Sequence, residues 1–250
     1  MANKVYIFDV DGTLTPSRKR MNQKFQKFFM DWAETNPFYL VTGSDLPKTL
    51  EQLPEEIVQK AKGVFCCCGN EYLIPRDGDY EVVYSHKFDP PSDLIDYLNK
   101  ILDTSKYHHR AGNHIENRGS LLNFSVVGRN CSVNERLNYF MWDETHNERK
   151  QIVDYIKEEW PTIDASRGGQ ISVDIHPLGR DKSQVVDFLD LPVGSTCIFF
   201  GDRTTEGGND YPLARIINGY NKYSHRLKGK VYQVSCWEDT LNHLKEKVNA

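Results

Sequence analysis

Along the N-terminal part of the chain, short apolar bursts alternate with helical repeats. Val5-Tyr6-Ile7-Phe8 is brief and rich in β-formers, which predicts a buried strand. Phe25, Phe28, Phe29 and Trp32 recur at helical spacing behind Asn22, a candidate N-cap, and Pro37 stops that helix. Phe38-Tyr39-Leu40-Val41 predicts a second buried strand. Leu50, Leu53, Ile57, Val58 and Ala61 predict another helix, which Pro54 breaks or kinks. Val64-Phe65-Cys66-Cys67 predicts a third strand. Strand, helix, strand, helix, strand is the order of a parallel sheet with helical crossovers.

The pattern changes near Glu81. A strand is expected over Glu81–Ser85 and a helix where Leu94, Ile95, Leu98, Ile101 and Leu102 recur. Leu121–Val127 is strand-like with Asn123 and Ser125 interleaved, and Ser132-Val133-Asn134-Glu135 has capping-box form. Ile152, Val153, Ile156 and Trp160 continue the helical content. Ile171-Ser172-Val173-Asp174-Ile175 alternates strictly, as a strand with one wet face should. Antiparallel-looking strands mixed with helices predict an inserted α+β domain over 82–177, flanked by an α/β core from 1–81 and 178–250. The parallel pattern then resumes. Asp181-Lys182 is expected to open a helix carrying Val185, Val186, Phe188 and Leu189. Thr196–Phe200 is a strongly apolar strand, Val231–Val234 another, and Ser235-Cys236-Trp237-Glu238 could box-cap a terminal helix.

Composition narrows the class. The chain has 250 residues, enough for one large or two small domains, and a formal net charge of −4 with its lysines and arginines dispersed. That argues against a general nucleic-acid surface while leaving room for a local basic pocket. No apolar stretch approaches a membrane span, and a strand begins within a few residues of Met1, so neither a membrane segment nor a signal peptide is expected. A cytoplasmic protein is the expectation. Cys66, Cys67 and Cys68 are consecutive while Cys131, Cys197 and Cys236 stand alone. No zinc-type pairing exists, and buried, reduced cysteines are expected.

Three apolar strands end in polar residues: Asp9 and Asp11 after Val5–Phe8, Thr42 and Ser44 after Phe38–Val41, Asp202 after Thr196–Phe200. In a parallel α/β sheet, ligands bind at that carboxyl edge. Two aspartates one residue apart repel unless a cation joins them, and oxygen ligands favour a hard ion such as Mg²⁺. Hydroxyls suit phosphate oxygens, and Lys182 supplies an ammonium. The inventory suits phosphoryl transfer, where catalysis is largely positioning plus electrostatics.

Asp9-x-Asp11-Gly12-Thr13, the hydroxyl motif after Val41, Lys182, and Gly201-Asp202 with Gly207-Gly208-Asn209-Asp210 resemble the four motifs of the haloacid dehalogenase (HAD) superfamily. Arg118–Cys131, Glu135-Arg136, Gly168–Asp174 and Asp181-Lys182 resemble the cap and its return in eukaryotic-type phosphomannomutases, in collinear order from about Val5 to Asp210. The resemblance implies a Rossmann-like HAD core with a C2b-like α+β cap. It implies that Asp9 is the nucleophile, forming an aspartyl-phosphate, and Asp11 the general acid and base. Mg²⁺ would be held by Asp9, the backbone carbonyl of Asp11 and Asp202, with Asp210 supporting the metal site. Thr42, Ser44 and Lys48 would contact the transferring phosphoryl, and Lys182 would balance its charge. Arg18, Arg118, Arg129 and Arg136 match a distal phosphate cluster, for which guanidinium groups are well shaped. Ser172 and Asp174, on one strand face with Gln170, could bind sugar hydroxyls.

The chain departs from the family at Cys67-Cys68-Gly69, where Glu-Asn-Gly is usual, and at Arg215-Ile216-Ile217, which leaves no ligands for a second, structural metal. Thr42 resembles the related sugar-phosphate phosphatases. The resemblance therefore implies a Mg²⁺-dependent mutase interconverting mannose 1-phosphate and mannose 6-phosphate, primed by a hexose 1,6-bisphosphate and dimeric through the cap. Two other readings stand beside it: a HAD phosphatase that passes the phosphoryl to water, and a catalytically idle module that binds sugar phosphates.

Overall fold

The structure is a computed structural model that describes residues 4–224 and 226–248. The chain divides into two compact units. The first comprises 1–85, 182–206 and 210–250, and the second 86–181 with 207–209.

The first unit is built on a seven-stranded sheet. Its strands are β1 (Lys4–Phe8), β2 (Phe38–Val41), β3 (Gly63–Cys66), β4 (Glu71–Arg76), β5 (Asp79–Ser85), β10 (Thr196–Gly201) and β11 (Lys228–Gln233), in the spatial order β11-β10-β1-β2-β3-β4-β5. All pairs from β11 through β3 are parallel, while β4 and β5 add an antiparallel hairpin at one edge. β1, β2 and β3 are continuous apolar runs buried along almost their whole length, as strands covered on both faces must be.

Helix α1 (Gln23–Ala33) forms as its spacing predicts. Asn22 accepts from the Lys24 and Phe25 backbone N–H groups at 2.9 and 3.4 Å, satisfying donors that the helix leaves open. Its buried face carries Phe25, Phe29 and Trp32; Phe29 meets Phe8 and Phe38 edge-on, with Phe8–Phe29 centroids 5.3 Å apart, and Trp32 meets Phe8 edge-on. The next predicted helix is two, α2 (Leu46–Gln52) and α3 (Glu55–Lys60). Leu53 is extended because a residue before proline is pushed out of the helical region.

The second unit contains α4 (Ser92–Thr104), α5 (Val133–His146), α6 (Glu148–Glu159) and a four-stranded antiparallel sheet. Its strands are β6 (Ile115–Asn117), β7 (Leu122–Phe124), β8 (Ile163–Gly168) and β9 (Ser172–Pro177), in the order β6-β7-β9-β8. Leu122, Phe124, Val173, Ile175 and Ala165 share a core with Leu94 and Leu98 of α4, Tyr139 of α5 and Ile152 and Ile156 of α6. Alternation then leaves Glu116, Asn123, Asp174 and Ser166 on the opposite, polar face. Ser132 and Glu135 form the expected capping box.

Several expectations need correction. The junctions lie at 85/86 and 181/182, because β5 pairs with β4 as far as Ser85, and Arg180 is hydrogen-bonded to His86 at 3.0 Å within the second unit. Asp181-Lys182 opens a 3₁₀ run over Lys182–Phe188 instead of an α-helix. Strand pairing covers only Leu122–Phe124 of the expected Leu121–Val127 segment. Gln170 sits in the turn between β8 and β9, outside the strand alternation assigned to it. α7 (Tyr211–Tyr223) absorbs Arg215-Ile216-Ile217 and buries Ile217. α8 (Trp237–Val248) follows Ser235, whose backbone N–H donates to Asp239 at 2.9 Å; Asp239 and not Glu238 closes that turn. All six cysteines are free, yet Cys131 and Cys236 are only half-buried.

Candidate active site

The register of the parallel sheet brings the motif residues to one edge. Phe8 aligns with Phe200 on one side and Leu40 on the other, so Asp9, Asp202 and Thr42 all emerge beyond adjacent strand ends. Asp9 is tied into the sheet by its own N–H, which donates to the Phe200 carbonyl at 2.9 Å. Gly12 turns the chain with φ +81°, and a Cβ there would sit 2.7 Å from Asp202 Oδ2. Only glycine permits both the left-handed turn and that approach.

Around Asp9 lies a largely buried, charged cluster. The Lys182 ammonium is fully buried, 2.5 Å from Asp9 Oδ1 and 2.7 Å from Asp210 Oδ1. Asp210 Oδ2 accepts from the Arg203 N–H at 3.0 Å, and Thr13 Oγ1 donates to Asp9 Oδ2 at 3.3 Å. Arg203 Nε stands 3.7 Å from Asp202 Oδ2. Carboxylate oxygens of Asp9, Asp202 and Asp210 lie within 4.8 Å of one another.

Three carboxylates thus face one buried ammonium, and the titration of the group reflects that imbalance. Burial pushes the Asp9 carboxyl well above the usual carboxylate range; Lys182 opposes this, while Asp210 and Asp202 add to it. Burial likewise, helped by Asp210, pushes Asp202 up to about 7. Burial alone would lower Lys182, but Asp210 and Asp9 outweigh it and hold the ammonium well above its ordinary range. An ammonium paired with Asp9 should lower that acid, yet Asp9 rises, because desolvation and two further carboxylates exceed one counterion. Hard oxygen donors with excess negative charge suit a divalent cation such as Mg²⁺.

The metal role expected of Asp11 belongs to its backbone carbonyl, and its carboxylate is engaged elsewhere. Its carboxylate is absent from the three-carboxylate group; Oδ1 instead accepts from the Arg18 backbone N–H at 2.7 Å and from Gln52 Nε2 at 2.8 Å. Arg18 itself has φ +58°, a left-handed conformation that a non-glycine residue adopts at some cost. Gln52 was not legible as a site residue, being one polar position in an ordinary helical repeat.

The Thr42–Ser44 turn is held from behind. Thr42 Oγ1 accepts from the Ser44 N–H at 3.0 Å, while the N–H groups of Cys67 and Cys68 donate to the Ser44 and Thr42 carbonyls at 2.9 and 2.8 Å. Cys67 and Cys68 have φ of +51° and +59°, so strained backbone stands directly behind this turn, a placement common at functional sites. Lys48 lies in the first turn of α2, its ammonium 4.0 Å from Asp45 and its side chain 31 % exposed.

In the second unit, Arg118 and Arg129 converge on Glu116 Oε2, at 2.7 and 3.6 Å. Arg129 Nη1 also donates to Ser172 Oγ at 2.8 Å, and Asn123 Nδ2 donates to Asp174 Oδ1 at 2.6 Å. Four of the expected substrate groups therefore share one polar sheet face. Arg136 sits near the start of α5, half-buried, with its N–H on the Ser132 carbonyl at 2.9 Å. A buried arginine that sequence reasoning missed, Arg149, binds Asp143 at 2.7 Å and the Gly169 carbonyl at 3.1 Å, bracing the turn that carries Gln170.

A mostly parallel sheet with carboxylates at its edge and an inserted α+β domain defines a HAD-like protein. The fold is shared with an IMP-nucleotidase of Plasmodium falciparum, at TM-score 0.64 and 15 % identity over 100 % of this chain and 69 % of that one. It is shared also with a haloacid dehalogenase-like hydrolase from Bacteroides thetaiotaomicron, at TM-score 0.55 and 15 % identity over 98 % and 99 % of the two chains. In sequence, a phosphomannomutase of Dendrobium officinale is 34 % identical over 221 residues, covering 85 % of each chain. Residues 25–249 match the family described as eukaryotic phosphomannomutase, and the chain belongs to that family of enzymes.

Proposed function

We propose that the protein is a Mg²⁺-dependent phosphosugar mutase that interconverts mannose 1-phosphate and mannose 6-phosphate through an aspartyl-phosphate. The observation that carries this reading is Asp9, buried at the sheet edge with its Oδ1 on the Lys182 ammonium. Asp9 attacks phosphorus of a bisphosphate, the ester P–O bond breaks, and Asp11 gives its proton to the departing sugar oxygen. In the return step a sugar hydroxyl attacks the aspartyl-phosphate and gives its proton to Asp11. Lys182 keeps positive charge beside the transferring group throughout, and Thr42, Ser44 and Lys48 offer donors to its oxygens.

Asp9, Asp202 and Asp210 would hold Mg²⁺, with the Asp11 carbonyl as a further ligand, and the ion would screen carboxylate from phosphate. A mutase must also grip a phosphate that is not reacting. Arg118 and Arg129, already gathered around Glu116, together with Arg136, are the proposed grip, while Gln170, Ser172 and Asp174 would orient sugar hydroxyls. A cytoplasmic homodimer joined through the inserted domain belongs to the same reading. It is supported by Val133, Leu137 and Met141, an apolar stripe along α5 that is 59 %, 48 % and 61 % exposed.

The test is one assay with two readouts. Protein, Mg²⁺ and mannose 1-phosphate are incubated with a trace of hexose 1,6-bisphosphate, and mannose 6-phosphate and free phosphate are followed together. Isomer formation with little free phosphate is the expected result. Phosphate release without isomer would instead leave a phosphatase, and tight sugar-phosphate binding without turnover an idle binding module.

A further inference from the structure

Gln52 is the last residue of α2, placed there because Pro54 forbids another helical turn. Its side chain runs inward: the residue is 6 % exposed, and Nε2 donates to Asp11 Oδ1 at 2.8 Å across 41 positions of sequence. The helix end is itself anchored, since the Gln52 carbonyl accepts from the Met21 N–H at 2.8 Å. The other end of the amide is unusual. Gln52 Oε1 is buried with no hydrogen-bond partner among the described residues. A dry, unpaired acceptor is disfavoured, so an apolar side chain would suit this position better unless the donor end had a task.

Both donors to Asp11, the Gln52 amide and the Arg18 N–H, address the same oxygen, Oδ1. Among the described residues, Oδ2 takes no hydrogen bond. Two donors from different directions fix the carboxyl plane and leave one oxygen to exchange a proton with a substrate. We infer that Gln52 is the positioning residue for Asp11, holding Oδ1 so that Oδ2 faces the oxygen of the departing or attacking sugar. The inference rests on the proposed acid–base role of Asp11, and Gln52 touches no reacting atom.

A positioning role for the acid is separable from a structural one by the leaving group. Phosphorylation of Asp9 by a hexose 1,6-bisphosphate breaks a P–O bond to an alkoxide-like oxygen that needs the Asp11 proton. Phosphorylation by acetyl phosphate breaks a P–O bond to acetate, which leaves unprotonated. The experiment compares wild-type protein with Gln52→Met, similar in length but without a donor, using ³²P-labelled donors of both kinds with Mg²⁺ and rapid quench. The labelling rate from the bisphosphate should fall about 10- to 100-fold, as for a catalytic group slightly displaced, while the rate from acetyl phosphate stays within about twofold of wild type. Retained acetyl phosphate labelling would also show that the variant is folded.

Equal losses with both donors, or no loss with either, would overturn the role of Gln52 while leaving Asp9 as the phosphorylated residue. Wild-type protein that takes label from neither donor would overturn the underlying reading, and this inference with it.

Discussion

Asp9 and Asp210 pair with one buried ammonium while Asp202 crowds in beside them, and the stability of the group against pH follows from that excess of carboxylates. Asp202 is pushed up to about 7, whereas an unfolded aspartate titrates near 3.9. Between those values the folded protein holds a proton that the unfolded chain has released. Its contribution is therefore fully present below about pH 4 and is lost as pH rises through about 7. Asp9 is displaced in the same direction. Metal-free protein should melt at a lower temperature at about pH 8 than at about pH 5, and Mg²⁺ should raise the melting temperature more at the higher pH. Calorimetry in chelator and in Mg²⁺ checks this; a Mg²⁺ gain independent of pH would sink it. Asp9→Asn should cut turnover about 10⁴- to 10⁶-fold, as loss of a covalent nucleophile does. The same change should leave the metal-free melting temperature level or raised, because one buried charge is gone. At this scale the sequence showed Asp9, Lys182 and Asp202 through their strand and helix ends. It concealed Gln52 and Arg149, whose partners are remote or lie in irregular turns, and whose types carry no apolar periodicity.

The strands and helices show where local pattern suffices. α1 was readable because its apolar spacing, its Asn22 cap and Pro37 agree, and β1, β2 and β10 because each is a compact apolar run. β6 spans three residues and β8 reads Ile-Asp-Ala-Ser-Arg-Gly, too short or too polar to signal a strand. Their pairing comes from neighbours, β7 for one and β9 for the other. α7 carries Pro212 and Gly219, which disguise a helix whose Leu213 and Ile217 are fully buried. Its packing against β11 is close: a Cβ on Gly229 would lie 1.7 Å from the Ile217 carbonyl oxygen. Backbone cannot yield as a flexible side chain does, so Gly229→Ala should destabilise the protein by about 3 kcal/mol, the upper end of the usual overpacking cost. Urea denaturation measures it, and a loss below about 1 kcal/mol would show that β11 moves aside freely.

Each of the two compact units has its own apolar core, and the change in texture near Glu81 falls short of the junction at 85/86. What pattern could not supply was the exact junction, which depends on β5 pairing with β4. For the proposed dimer, Met141 is the most exposed member of the α5 stripe, so Met141→Lys should weaken association at least about tenfold without lowering the melting temperature. Sedimentation velocity tests both chains; a monomeric wild type would remove the dimer from the reading. The interrupted first unit also imposes an order in time. β1 needs β10 along one edge, and β10 begins at Thr196, after the 110 residues from 86 to 195 that follow β5. At about 5–20 residues per second, a ribosome takes about 5–20 s to make them. For that interval the nascent β1 strand offers bare N–H and C=O groups beside Val5, Ile7 and Phe8, a template for stray pairing. A chaperone guarding this chain during synthesis has its work at the strand that carries Asp9.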